Sequence, residues 1–286
     1  MFERGDETRP GSSTATRLIA VDGNDARPRF DRLATEEPLE IRLRAGGETR
    51  TVAITMRTPG ADFELAAGFL YGEGVVAQTN DVRGISYCVD VPAEQQYNTV
   101  NVDLARRDLP ALDSLERHFT VTSACGVCGK ANMEALRLRG LDPIESDARV
   151  DRETILTLPA RLRAAQGIFE KTGGLHAAAL FDLSGNVLAV REDVGRHNAM
   201  DKLVGWALMN RKLPLGERIV LVSGRSSYEL VQKTVAARVP IMCSVSAPSS
   251  LAVDLAREFG VTLVGFLRES RFNVYAHERR LQISSA

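Results

Sequence analysis

The chain has 286 residues, 44% of them apolar and 26% charged, which suits one large α/β domain or two smaller ones with a sizeable core. A formal net charge of −1 removes the global basic field that a nucleic-acid binder relies on, and no apolar run reaches the roughly 18 residues of a membrane-spanning helix. Four cysteines are too few for a disulfide framework at this length, so reduced thiols and a cytoplasmic location are expected.

Residues 1–17, MFERGDETRPGSSTATR, contain acids and no apolar h-region, which argues against a secretory signal and for a disordered tail. Residues 18–121 form a β-rich N-terminal part with one helix. PLEIRLRAG and TRTVAITMRT alternate apolar and polar residues around the glycine pair 46–47, the pattern of a hairpin. ADFELAAGFLYGEG is a helix: Phe63, Ala66, Ala67 and Leu70 share one face, and Gly72 and Gly74 end it. YNTVNVDLA is a further strand. Residues 122–130, TSACGVCGK, form a Cys-x-x-Cys loop, and ANMEALRLRG after it is a helix stopped by Gly140.

Residues 131–286 are predicted to be an α/β domain. ETILTLPARLRAAQGIF is a helix with an internal proline, expected to break it. HAAALFD and NVLAVRE are strands joined by LSG. HNAMDKLVGWALMN is a helix, RIVLVSG a strand, SYELVQKTVAARV a helix, IMCSVSA a strand, SLAVDLAREFG a helix and VTLVGFLR a strand. Buried strands alternating with helices predict a layered arrangement with a largely parallel core.

Cys125 and Cys128 admit four readings: structural zinc, catalytic zinc, thiol chemistry, or two small residues buried in a turn. Structural zinc needs four ligands, usually as two close pairs, whereas Cys88 and Cys243 stand isolated in strand-like runs. Zinc of the deaminase type needs His-x-Glu ahead of Pro-Cys-x-x-Cys. Here His176 follows the cysteines, Ala178 stands where the glutamate belongs, and no proline precedes Cys125. No metal site is therefore expected, and a glycine-rich loop is poor core material. Thiol chemistry fits best. The pair precedes a predicted helix, whose N-terminus, together with the adjacent Lys130, lowers a thiol pKa. Gly126 and Gly129 leave the backbone mobile. The pattern leaves disulfide exchange and sulfur carriage both open. Cys88 and Cys243 read as small buried hydrophobes in apolar strands.

Four more segments read as ligand loops at strand ends: KTGGLHA, REDVGRHNAMDK, SGRSSYE and SVSAPSSLA. Serines 226 or 227 and 249 or 250 are candidate helix caps, the commoner role for each alone. Together the loops converge on one crevice of an open α/β sheet, where helix N-termini suit phosphates. Arg196, Arg225, Arg268 and Arg271 are the candidate donors, with pairing to Glu192 or Asp193 as the alternative use of a local arginine. His197 at a helix start reads first as a packing or capping residue. The ligand implied is anionic, a nucleotide or another phosphate ester. Neither a Walker loop nor a Rossmann fingerprint is present.

AAGFLYGEG, TSACGVCGK, GGLHAAALFD, REDVGRHNAMDK, SGRSSYELVQK, SAPSSLAVDLA and TLVGFLR, in this order over residues 66 to 271, resemble the formate dehydrogenase accessory sulfurtransferases, the FdhD family. The resemblance implies a mixed, layered fold similar to cytidine deaminases without their zinc, and a homodimer. It implies a sulfurtransferase that takes sulfur from a cysteine desulfurase as a persulfide on Cys125, with Cys128 resolving or tuning it. The sulfur passes to the molybdenum cofactor in its bis-molybdopterin guanine dinucleotide form, destined for formate dehydrogenase. Guanosine diphosphate is the expected mimic of that cofactor. The matching cofactor-binding segment is Phe266, Leu267, Arg268, Glu269, Ser270 and Arg271. It departs from the family, which often has Pro-Gly where Glu269 and Ser270 stand. The competing reading is a non-catalytic chaperone of the molybdenum cofactor.

Overall fold

The computed structural model describes residues 10–110, 137 and 140–283. Cys125, Cys128 and, apart from Arg137 and Gly140, the helix expected over residues 131–140 lie outside the described residues.

Strands β1 (Ser13–Asp22) and β2 (Asp25–Ala34) form an antiparallel hairpin about Gly23, which takes a positive φ of 58°. This hairpin starts inside the stretch 1–17 expected to be a tail. The sequence STATRLIAVD followed by a glycine turn has local pairing that composition alone concealed. Strands β3 (Glu37–Ala45) and β4 (Glu48–Arg57) form the predicted hairpin, with Gly46 and Gly47 at φ 57° and 84°. They join β5 (Val82–Tyr87) and β6 (Thr99–Leu104) in a four-stranded sheet of order β4-β3-β6-β5. Alternation sends Leu39, Ile41, Leu43, Val100 and Val102 to one face, where they pack on Leu65, Ala66 and Leu70 of helix α1 (Asp62–Gly72).

After β7 (Val150–Asp151), helix α2 (Arg152–Ala165) continues through Pro159, contrary to the expected break there. Ile155, Leu158 and Leu162 form one buried stripe that holds the helix through the missing N–H. The chain leaves the helical region only at Gln166 (ψ 90°), before α3 (Gly167–Thr172).

The second sheet has six strands in the order β13-β12-β11-β10-β8-β9: β8 (His176–Phe181), β9 (Val187–Asp193), β10 (Ile219–Val222), β11 (Ile241–Ser244), β12 (Thr262–Gly265) and β13 (Asn273–Ala276). It is mixed and not largely parallel. Only β10, β11 and β12 run parallel, with antiparallel strands on both sides. The parallel strands are joined by helices α5 (Tyr228–Ala236) and α6 (Ser250–Glu258), while the β8–β9 hairpin is closed by the short turn after Phe181. Val220, Val222, Met242 and Leu263 face α4 (Arg196–Met209), α5 and α6; Ile219, Leu221, Ile241 and Cys243 face α2. Covered on both sides, the central strands become continuous apolar runs such as IVLV. A short strand, β14 (Leu281–Gln282), pairs with β7. Cys243 is fully buried, and burial pushes its thiol pKa up.

The two sheets meet through α1 and α4. An added Cβ on Gly68 would lie 1.9 Å from the Asp201 carbonyl oxygen, so the helix backbones touch where side chains would normally separate them. The Arg191–Glu64 ion pair ties the same junction, while the fully buried Arg57, which donates to Asp62 at 3.0 Å and to the Tyr97 carbonyl at 2.8 Å, anchors α1 to its own sheet.

Candidate functional site

The parallel strands β10, β11 and β12 end at one edge of the second sheet, and α4, α5 and α6 begin there. Three loops lie side by side at this edge. Ser246 N–H donates to the Gly224 carbonyl (3.3 Å), Ser249 N–H to the Ser226 carbonyl (3.0 Å), and Phe266 N–H to the Ser246 carbonyl (3.1 Å). The parallel ladder thus continues beyond the regular strands. Gly265 is required in this packing: a Cβ there would sit 2.9 Å from both Pro248 and the Tyr275 ring.

Two of these helix starts are capped by a serine side chain. Ser227 caps α5 by accepting from Leu230 N–H, and Ser249 caps α6 by accepting from Ala252 N–H. These are the capping roles expected of the serines. His197 bridges α4 to α5, with Nε2 3.0 Å from Ser227 Oγ and Nδ1 3.3 Å from the Glu229 carboxylate. The bonds fix the tautomer: Nδ1–H faces the carboxylate, and Nε2 accepts the Ser227 hydroxyl proton while Ser227 Oγ accepts Leu230 N–H. Burial, chiefly, lowers the His197 pKa, against the opposing pull of Glu229. His176, at the adjacent start of β8, is also lowered, first by burial and then by the charge of Arg196.

Beneath the edge lies a buried polar knot. The fully buried Asp193 pairs with Lys202 at 2.7 Å and accepts from Thr58 N–H, Gly195 N–H and Asn198. Lys202 also donates to the Thr58 carbonyl at 2.8 Å. Glu192 accepts from Ile168 and Phe169 N–H and caps α3 from a distance. Both acids considered as partners for a local arginine are therefore committed elsewhere. Among the described residues, Arg196 Nε and Ser226 Oγ are buried without a hydrogen-bond partner. Sequence reading missed the Asp193–Lys202–Thr58 knot, because Thr58 comes from the N-terminal part and no local pattern announces it.

The expected cofactor-binding segment divides. Phe266 is exposed at a positive φ of 52°, and Leu267 is buried. The Arg268 guanidinium donates to the Val245 and Leu267 carbonyls, so it staples two loops together. Glu269 and Ser270 occupy an exposed turn closed by Arg268 N–H donating to the Arg271 carbonyl at 2.9 Å. Ser270 and Arg271 line a cavity of about 530 Å³ with Arg152 and Glu153 of α2, away from Arg196. Arg225 is exposed beside the buried Ser226. Cys88 corrects the expectation of an apolar setting: it follows β5 onto the polar face of the first sheet, with Arg42 Nη1 3.9 Å from its sulfur. Among the described residues no cluster of three or more His, Cys, Asp or Glu is placed to hold a metal ion, and no helix is long and apolar enough to cross a membrane.

This arrangement, an edge where three helices begin and buried polar atoms await partners, suits an anionic ligand. Over 274 residues the chain is 52% identical to the Sulfur carrier protein FdhD of Streptomyces coelicolor, covering 94% of this chain and 96% of that one. It is 47% identical over 278 residues to the protein of the same name from Mycobacterium tuberculosis, covering 95% and 99%. A crystal structure from Desulfotalea psychrophila, assigned as a formate dehydrogenase accessory protein, superposes with a TM-score of 0.71 over 94% of this chain and 99% of that one, at 23% identity, and so shares the fold. The family model described as FdhD/NarQ matches residues 34–282, and the chain belongs to that family.

Proposed function

We propose that this protein is a cytoplasmic, homodimeric sulfur carrier. It accepts sulfur from a cysteine desulfurase and transfers it to the molybdenum cofactor in its bis-molybdopterin guanine dinucleotide form, for use by formate dehydrogenase. The observation that carries the reading is the identity of about half of nearly the whole chain with proteins named Sulfur carrier protein FdhD. The Cys-x-x-Cys segment gives the chemistry. The Cys125 thiolate attacks the outer sulfur of the desulfurase persulfide, and the desulfurase thiolate leaves. Attack of Cys128 on the inner sulfur of the Cys125 persulfide then forms a Cys125–Cys128 disulfide and releases hydrosulfide. The two thiols supply the two electrons that reduce the sulfane sulfur.

The edge formed by the loops after β10, β11 and β12 is the proposed cradle of the cofactor's guanosine diphosphate portion, with Arg196, Arg225 and Arg268 supplying or positioning donors. Its buried, partnerless Arg196 Nε and Ser226 Oγ support this, since buried polar atoms seek partners.

The test is incubation with a cysteine desulfurase and cysteine, followed by mass spectrometry of the tryptic peptides. A gain of about 32 Da, one sulfur, on Cys125 is expected, and none in Cys125→Ala. Absence of the adduct, together with retained binding of guanosine diphosphate, would leave the protein a cofactor chaperone without sulfur chemistry.

A further inference from the structure

The first sheet has a second, polar face. Opposite the α1-facing residues, alternation places Arg42 and Arg44 of β3 beside Asn101 and Asp103 of β6, as the parallel register Arg42↔Asn101 and Arg44↔Asp103 shows. Over this face lies a cavity of about 720 Å³, within the range of small-molecule sites. Five arginines line it (Arg42, Arg44, Arg83, Arg106 and Arg107) against three carboxylates (Glu48, Asp90 and Asp103). Asp103 is already matched to Arg44 at 3.1 Å. Arg83, Arg106 and Arg107 make no ion pair among the described residues, and Arg42 turns Nη1 inward over Cys88 while Nη2 holds Glu40.

Two observations mark this as more than a basic patch. Asn101 is a buried residue that lines the cavity, and its amide offers a neutral hydrogen-bond donor beside the arginines. The main chain that carries two of the arginines is also set close: Gly46 sits under the Arg107 carbonyl so closely that a Cβ there would be 2.2 Å from it, which lays the backbone of Arg107 against the β3–β4 turn. Among the described residues the lining contains no aromatic ring for a nucleobase to stack on. Guanidinium groups approaching from three segments match a tetrahedral anion better than a planar carboxylate.

We propose that this cavity is an anion site, separate from the sheet edge, that takes the phosphate or diphosphate group of a small molecule on Arg42, Arg83, Arg106, Arg107 and Asn101.

Isothermal titration of the full-length protein with inorganic pyrophosphate tests it, with guanosine diphosphate in a parallel series. Saturable pyrophosphate binding is expected. It should weaken about tenfold or more in the triple variant Arg83→Ala, Arg106→Ala, Arg107→Ala. Those side chains are exposed, so folding should survive, and an unchanged circular dichroism spectrum verifies this. Asn101→Asp, nearly isosteric but negative, should abolish the pyrophosphate binding that persists when guanosine diphosphate saturates the sheet edge. Guanosine diphosphate binding, located at the other edge, should persist in the triple variant. Absence of saturable pyrophosphate binding would overturn the proposal. So would loss through Arg225→Ala with none through the triple variant, and so would binding of polyglutamate in place of pyrophosphate, which would make the face a docking surface for an acidic protein.

Discussion

Gly205 of α4 lies against Glu64 of α1: a Cβ on Gly205 would stand 1.8 Å from the Glu64 carbonyl oxygen and 2.8 Å from Gly68 N. The obstacle is main chain, which cannot rotate away, and this helix crossing is where the backbones of the two parts come into direct contact. Gly205→Ala is therefore expected to destabilise the protein by about 3 kcal/mol, near the upper end for overpacking, against the small gain alanine gives an open helix. Urea unfolding would measure it. A variant as stable as the parent would show that the helices separate at little cost.

The neutral histidines at the sheet edge make stability depend on pH. His176 and His197 are both held below their ordinary value of 6.5 in the folded chain, first by burial. Between the folded and unfolded values the unfolded chain binds more protons. Their contribution is complete above about pH 6.5 and is lost as the pH falls below it. The urea midpoint should drop between about pH 7 and about pH 5, and His197→Gln should flatten part of that slope. An identical slope in the variant would assign the dependence to other groups.

Among the thiols, Cys125→Ala is expected to abolish persulfide formation and leave formate dehydrogenase with cofactor but inactive. Cys128→Ala should spare loading and slow release. Cys243, fully buried with a thiol pKa raised by burial, should resist alkylation in the native protein, and Cys243→Ala should still load sulfur. Full formate dehydrogenase activity with Cys125→Ala would remove the carrier role from that residue.

Guanosine diphosphate should bind more tightly than adenosine diphosphate. Arg225→Ala should weaken it by about 1–3 kcal/mol with stability unchanged. Arg268→Ala should weaken binding and also lower the melting temperature, because its guanidinium holds the Val245 and Leu267 carbonyls. Arg271, which lines a cavity with Arg152, should matter less. Equal affinities for the two nucleotides would count against base recognition at this edge.

The sequence by itself determined the elements whose cause is local. The Gly46 and Gly47 turn, the buried runs of β10, β11 and β12, and the serine caps of α5 and α6 all arise from neighbouring residues, so periodicity and turn chemistry reveal them. The cysteine spacing and the order of motifs were likewise legible. Tertiary structure decided what depends on partners distant in the chain. Pro159 stays inside a helix because the sheet holds the apolar stripe of α2. Asp193 is balanced by Lys202 and by Thr58, more than a hundred residues away. Cys88, read as a strand hydrophobe, lies under Arg42 because pleating turns it to the polar face. Arg268, read as a phosphate donor, is occupied with two carbonyls that only the juxtaposed loops bring within reach. A hydrogen-bond partner or a packing surface is a property of three-dimensional proximity, and sequence order does not encode it.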